Sequence, residues 1–118
     1  MTESIIVATV NQIKPGEMKS FAIGKRQILI ARQGDTFYAA DNKCPHMGGN
    51  LSKGTLNGHE VTCPVHNSKF DLVDGKVLQW TEFGGLTKAI GSAIKKPKSL
   101  KTYPVVIKDG EIRVVLDQ

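Results

Sequence analysis

Both cysteines and two of the three histidines of this 118-residue chain fall in two short clusters, Cys44-Pro45-His46-Met47-Gly48-Gly49 and Cys63-Pro64-Val65-His66-Asn67-Ser68. Written as a pattern this is Cys-x-His, sixteen residues, then Cys-x-x-His. Two thiolates and two imidazoles can serve three kinds of chemistry. Structural zinc takes such a set in a tetrahedron, usually with about two to four residues between paired ligands. The one-residue gap of Cys44-x-His46 makes chelation of a single ion awkward. A cysteine thiolate activated by a neighbouring histidine is a nucleophile, but that needs one pair and leaves the second unexplained. A two-iron, two-sulfide core is wider, so each loop can give its Cys to one iron and its His to the other. Of the three readings, this one uses all four residues and the repetition of the pair.

Loops of this kind need a scaffold behind them. β-branched and apolar runs at residues 5–10, 18–23, 27–32 and 36–40 predict short strands, with Lys14-Pro15-Gly16-Glu17 and Gln33-Gly34-Asp35 as punctuation. Three hairpins are signalled more sharply: Asn57-Gly58 separates 55–56 from 59–62, Asp74-Gly75 separates 69–73 from 76–80, and Asp109-Gly110 separates 103–108 from 111–116. Asn-Gly and Asp-Gly accept the positive φ angles of tight hairpin turns. The Asn57-Gly58 hairpin folds the chain back between the two clusters and would set their loops side by side. The expected fold class is therefore all-β, an antiparallel sandwich or barrel, because a parallel sheet would need long crossover helices.

One stretch departs from this pattern. Leu86, Ala89, Ile90, Ala93 and Ile94 fall at i, i+3, i+4, i+7 and i+8, one face of a helix. Gly84-Gly85 precede it and Pro97 stops it, so a short helical insertion is expected near 86–96. Gly91 weakens that helix by about 1 kcal/mol. The stripe itself reads as core packing. The same region carries the charge. Lys88, Lys95, Lys96, Lys98 and Lys101 occur between Gly84 and Lys101 without a single acid. Elsewhere eleven basic residues balance eleven acidic ones, so this segment holds the whole net charge of +5. One local patch with few aromatics to stack bases disfavours nucleic acid. A solvated face, or a docking patch for an acidic protein surface, fits such charge better.

Composition sets the outer bounds. With 40% apolar and 23% charged residues, the chain has the makings of a packed core and is not a disordered sequence. Its length suits one domain over 1–118. The longest strong apolar run, 28–31, is far short of the ~20 residues that span a bilayer. The N-terminal residues lack a basic segment followed by a long apolar one, so no secretory signal is expected and the expected compartment is the cytoplasm. Two cysteines cannot build a disulfide framework.

The two boxes, with their prolines and glycines, resemble the Rieske iron–sulfur family, and the flanking strand pattern is similar over nearly the whole chain. With no second large domain, the likeness is to a Rieske-type ferredoxin. It implies a Rieske-like antiparallel β fold. A cluster-binding subdomain of two loops and a hairpin would occupy about 41–71, with the Lys-rich helical insertion at about 84–101. It also implies one [2Fe–2S] cluster per chain. Carried over residue by residue, Cys44 and Cys63 would bind the inner iron. His46 and His66 would bind the outer one, their far ring nitrogens facing solvent where electrons enter and leave. The implied role is a one-electron carrier between a reductase and an oxygenase or other acceptor, with no catalytic residues of its own. An oxygenase subunit would need a further mononuclear iron site, and after the four ligands only His59 remains. A small or regulatory subunit of a larger oxidoreductase, and a zinc-stabilised binding module, are the rival readings.

Charge explains why such ligands serve such a role. Two ferric irons and two sulfides sum to about +2, so four thiolates leave the oxidised cluster near −2, whereas two thiolates and two neutral imidazoles leave it near zero. Adding an electron to a neutral site is easier, which raises the potential. Relatives of high potential place an extra cysteine in each loop and join them, but the matching positions hold Gly49 and Val65. Those relatives also aim a serine and a tyrosine hydroxyl at the cluster sulfurs; Ser68 matches the first and Phe70 stands at the second. Hydrogen bonds to sulfur favour the reduced form, so the expected potential lies below the top of the roughly −150 to +300 mV range. Gly48 and Gly49 allow backbone N–H groups close to the sulfides. Pro45 and Pro64 stiffen the loops, and Met47 reads as an apolar lid beside His46. Residues 81–85 lack the proline-rich cover of many relatives, leaving Phe83 or the insertion to shield that side. His59 reads as an exposed hairpin residue, and Trp80 and Tyr103 as packing.

Overall fold

The computed structural model describes residues 3–44, 49–64, 68–79 and 99–116. The helix expected near 86–96 lies outside them, as do Trp80, Phe83, Lys88, Lys95, Lys96 and Lys98. Eleven strands are described: β1 (Glu3–Thr9), β2 (Met18–Ile23), β3 (Arg26–Gln33), β4 (Thr36–Asp41), β5 (Thr55–Asn57), β6 (Glu60–Thr62), β7 (Lys69–Asp71), β8 (Val77–Gln79), β9 (Thr102–Tyr103), β10 (Val105–Lys108) and β11 (Glu111–Leu116). They form three antiparallel sheets, ordered β1-β11-β10, β2-β3-β4-β9 and β5-β6-β7-β8. The all-β, antiparallel expectation holds.

Turn chemistry accounts for most of the registers. Asp109 and Gly110 both take positive φ, 54° and 74°, and close a two-residue hairpin between Lys108 and Glu111. That is the pattern Asp-Gly favours. The Asn57-Gly58 hairpin forms one residue later than expected. Asn57 pairs with Glu60, so the two turn residues are Gly58 and His59. The positive φ of 63° then falls on Gly58 at the first turn position, where a glycine is favoured. The run expected over 103–108 is split by Pro104. Thr102 and Tyr103 pair with β4, whereas Val105–Lys108 pairs with β11. A proline has no N–H for a ladder, and the chain changes sheets there. The run expected from residue 5 to 10 ends at Thr9, because Val10–Gln12 forms a 3₁₀ turn.

The middle sheet is buried on both faces. In β3, Ile28 and Ile30 join one core with Ala8, Ile13, Ala39, Tyr103, Ile112, Val114 and Leu116. Leu29 and Ala31 join the other, with Ala40, Cys44, Leu51, Val61, Cys63, Phe70, Leu72 and Leu100. Alternate side chains of a strand point to opposite faces, so the continuous apolar run 28–31 is what a strand shared by two cores must look like. The second core is the floor of both cysteine loops. The chain returns to it at Leu100, whose N–H donates to Gly75 O at 2.8 Å. Gly75 holds φ +80°, and a Cβ there would stand 1.9 Å from Leu100 O, so this approach requires glycine.

Tyr103 anchors β9 by donating its hydroxyl to Asp41 Oδ1 at the end of β4. Burial above all, then that bond and the Asp41 charge, push its phenol from the usual 10 up to about 12, against an opposing pull from Arg26. The neutral phenol is the form that the fold favours. Its contribution to stability is therefore complete below pH ~10 and is lost as pH rises through ~12. In a Tyr38→Phe background, the phenolate absorbance of folded protein should titrate near pH 12, and denaturant midpoints should fall between pH 10 and 12. A phenol titrating at the ordinary value would show that neither burial nor the Asp41 bond holds it in the neutral form.

Candidate metal centre

Each cysteine opens a six-residue loop closed in the same way. The Cys44 N–H donates to Gly49 O at 2.8 Å, and the Cys63 N–H donates to Ser68 O at 2.8 Å. Pro45 and Pro64 follow directly and carry no N–H, so the ladder loses its donor at that point and a loop begins. Loop two hangs from the β6–β7 hairpin, whose last pair is Thr62 with Lys69. Loop one hangs from the end of β4 through a single antiparallel bridge, Lys43 with Asn50. A 3₁₀ turn, Leu51–Lys53, then carries the chain toward β5.

The two thiols meet the same apolar floor. Cys44 and Cys63 are 2% and 1% exposed, belong to one buried cluster, and are not joined in a disulfide. Buried thiols in apolar surroundings are inert unless a metal draws them out as thiolates, and soft thiolate donors suit iron–sulfur centres. His46 and His66 fall between the closed loop ends in sequence and lie outside the described residues, with Pro45, Met47, Gly48 and Val65. Gly49 is half-buried and Pro64 exposed. Ser68 is wholly buried at the closing position of loop two, and Phe70 lies in the floor. Lys101 is exposed. The donor chemistry and the paired loops fit a cluster bound through both cysteines.

Three contributions escaped the sequence. Asn42, two residues before Cys44, is 3% exposed and hydrogen-bonded through its backbone N–H and C=O and through both side-chain polar atoms. Its side-chain partners stand eight and ten residues away, so no local pattern marks it. His59 is exposed as expected, but its Nδ1 lies 2.8 Å from Asp71 Oδ1 across the hairpin. Gly54 sits where the exit of loop one passes the entry of loop two. A Cβ on it would lie 1.9 Å from Thr62 O, the residue before Cys63. Its position just past the Leu51–Lys53 turn was the available signal.

A small antiparallel β domain whose two cysteine loops lie over one core is the frame of a cluster-binding electron carrier. The family model for the Rieske [2Fe-2S] domain matches residues 3–104. A curated relative, the ferredoxin component of naphthalene 1,2-dioxygenase/salicylate 5-hydroxylase systems from a Ralstonia species, is 31% identical, covering 98% of this chain and 97% of its own. The ferredoxin of carbazole 1,9a-dioxygenase from Nocardioides aromaticivorans IC177 superposes with a TM-score of 0.77 at 27% identity, over 94% of this chain and 95% of that one. A ferredoxin structure solved as a complex of reduced oxygenase and oxidised ferredoxin in carbazole 1,9a-dioxygenase superposes with a TM-score of 0.73 at 26% identity, over 94% and 91%. The chain belongs to the Rieske [2Fe-2S] domain family. It is a carrier of the ferredoxin kind, built around a [2Fe–2S] cluster. Among the described residues no helix is long and apolar enough to cross a membrane.

Gly54→Ala tests the loop spacing. Forcing a methyl against the Thr62 carbonyl should cost about 1–3 kcal/mol of stability in urea unfolding. It should also lower bound iron per chain relative to an exposed-turn control such as Lys25→Ala. Equal iron content in the two variants would show that the contact does not govern the site.

Proposed function

We propose that Cys44 and Cys63 hold one iron of the cluster and His46 and His66 the other, and that the chain passes single electrons from a reductase to an oxygenase-type acceptor. The observation that carries this reading is the matched pair of buried cysteines, each at the mouth of a loop closed by the same backbone bond and each followed in its loop by a histidine. When bound, a centre with two thiolate and two imidazole ligands takes up one electron from a formal charge near zero. The protein's part is positional. The apolar floor keeps water from the sulfurs, the two closing bonds fix where the cysteines leave the sheet, and Ser68 offers a buried hydroxyl beside loop two. The chain turns over no substrate of its own in this scheme. A reductase–carrier–oxygenase order is supported by relatives named as ferredoxin components of dioxygenase systems and by the similar ferredoxin solved with its oxygenase. Cytoplasmic placement belongs to the same proposal, since carriers of this type meet their partners in one compartment.

Anaerobically purified protein should contain about two irons and two acid-labile sulfides per chain and should be red-brown, bleaching with dithionite. Cys63→Ser should abolish both colour and sulfide. Colourless protein with stoichiometric zinc and no sulfide overturns the proposal.

The acid-free lysine segment, Lys88, Lys95, Lys96, Lys98 and Lys101, supplies a docking charge for an acidic partner surface. Raising ionic strength shortens the Debye length from about 10 Å at 0.1 M to about 3 Å at 1 M, so electron transfer with a partner should slow as salt rises. Charge reversal at Lys95, Lys96 and Lys98 together should remove most of that salt dependence, read by stopped-flow. Rates that ignore both changes would assign the segment to a solvated face.

A further inference from the structure

The two cysteine loops are braced unequally. Loop two is the tip of a hairpin, held by three successive pairs: Glu60 with Asp71, Val61 with Phe70, and Thr62 with Lys69. Loop one has no second strand. After the Lys43–Asn50 bridge the chain turns at once into the 3₁₀ turn Leu51–Lys53. The first N–H groups of a helical turn find no partner inside it and are usually taken up by a capping side chain. The capping position is Asn50, and its side chain makes no such bond.

Asn42 takes both parts. Its carboxamide Oδ1 accepts the Ser52 N–H at 2.8 Å, satisfying the turn, and its Nδ2 donates to Asn50 Oδ1 at 3.3 Å. Its carbonyl accepts the Leu51 N–H at 2.8 Å, and its own N–H donates to Gln27 O on β3 at 2.9 Å. The residue is 3% exposed, and a buried amide is costly unless its groups are paired. Here one buried residue ties the two stems of loop one together through its carboxamide, and joins them to the middle sheet through its backbone, two residues ahead of Cys44.

We infer that Asn42 is a positioning residue for the cluster: its carboxamide replaces the missing second strand of loop one and fixes the direction in which Cys44 leaves the sheet. This rests on the cluster reading above, and it makes loop one, not loop two, the side whose geometry depends on a single side chain. Asn42 is buried and its carboxamide bonds Asn50 and Ser52, so it acts through the loop.

The test compares Asn42→Leu, which keeps the volume and loses both side-chain bonds, with Asn42→Asp, which keeps the acceptor for Ser52, and Asn50→Ala, which removes only the longer bond. The loaded proteins are read by the rate of loss of visible absorbance under chelator, by the reduction potential and by the electron paramagnetic resonance of the reduced state. Asn42→Leu should lose its cluster faster by on the order of tenfold, as outer partners of metal ligands do, with altered g-values and a moved potential. Asn42→Asp should recover most of the lifetime, and Asn50→Ala should lie near wild type. Wild-type lifetime, potential and g-values in Asn42→Leu overturn the inference, as does a fall in melting temperature with those three unchanged. Should Asn42→Leu not fold, Asn42→Ala, which also removes both side-chain bonds, is read in the same three ways: a shortened lifetime with altered g-values supports the inference, and wild-type lifetime, potential and g-values there overturn it. Wild-type protein lacking iron and sulfide instead fails the cluster reading itself.

Discussion

Two sulfur donors can share one inorganic core only if the backbone holds them at a set spacing, and this chain must do so without a disulfide. It has two cysteines, both committed to one buried floor, so no covalent strap is left to tie the loops together. The spacing is instead a matter of packing and backbone hydrogen bonds. Each cysteine is fixed by its own N–H to a carbonyl five residues on. The loops are fixed to each other where Gly54 passes under the Thr62 carbonyl, an approach too close for any side chain. Beyond that contact, the β5–β6 ladder from the Thr55–Thr62 pair onward and the shared core set the separation of the two cysteines.

The floor explains the rest of the architecture. β3 lies between two cores, with Leu29 and Ala31 in the core of the cysteines and Ile28 and Ile30 in that of Ile112 and Val114 on β11. Any shift of one residue along β3 would exchange the two sets and spoil both cores, so the register of the middle sheet is strongly specified. Both cysteines thus rest on a packed core, which suits an electron carrier: a redox centre that moves little on changing charge wastes little driving force on reorganisation. The lysine-rich segment leaves and re-enters the fold beside this subdomain, after Gln79 and at Leu100 against Gly75.

Local chemistry was legible wherever a short stretch of chain decides the outcome. Asp109-Gly110 makes the turn its two residues favour, and the strands on either side follow. Asn57-Gly58 is legible as a hairpin but not in register, because the ladder extends through Asn57 to Glu60 and moves the turn to Gly58-His59. At Pro104 a run of strand-forming residues crosses from one sheet to another, and only the placement of β4 and β11 on either side of it makes that visible. Asn42 looked like any polar residue near a strand end. What distinguishes it is the return of Asn50, Leu51 and Ser52 to within hydrogen-bond reach, which is a property of the folded loop.

The order of residue types along the chain was enough to point to an iron–sulfur centre, because donor types and loop-sized spacing are written in covalent order: two Cys/His boxes, each with its proline, and an all-β frame cut by glycine turns. Tertiary structure alone decided which apolar residues serve which core, which glycine allows the loops to touch, and which side chain braces the loop that lacks a second strand. Those are distances between residues far apart in sequence, and no periodicity or motif encodes them until hydrophobic burial has brought the sheets together.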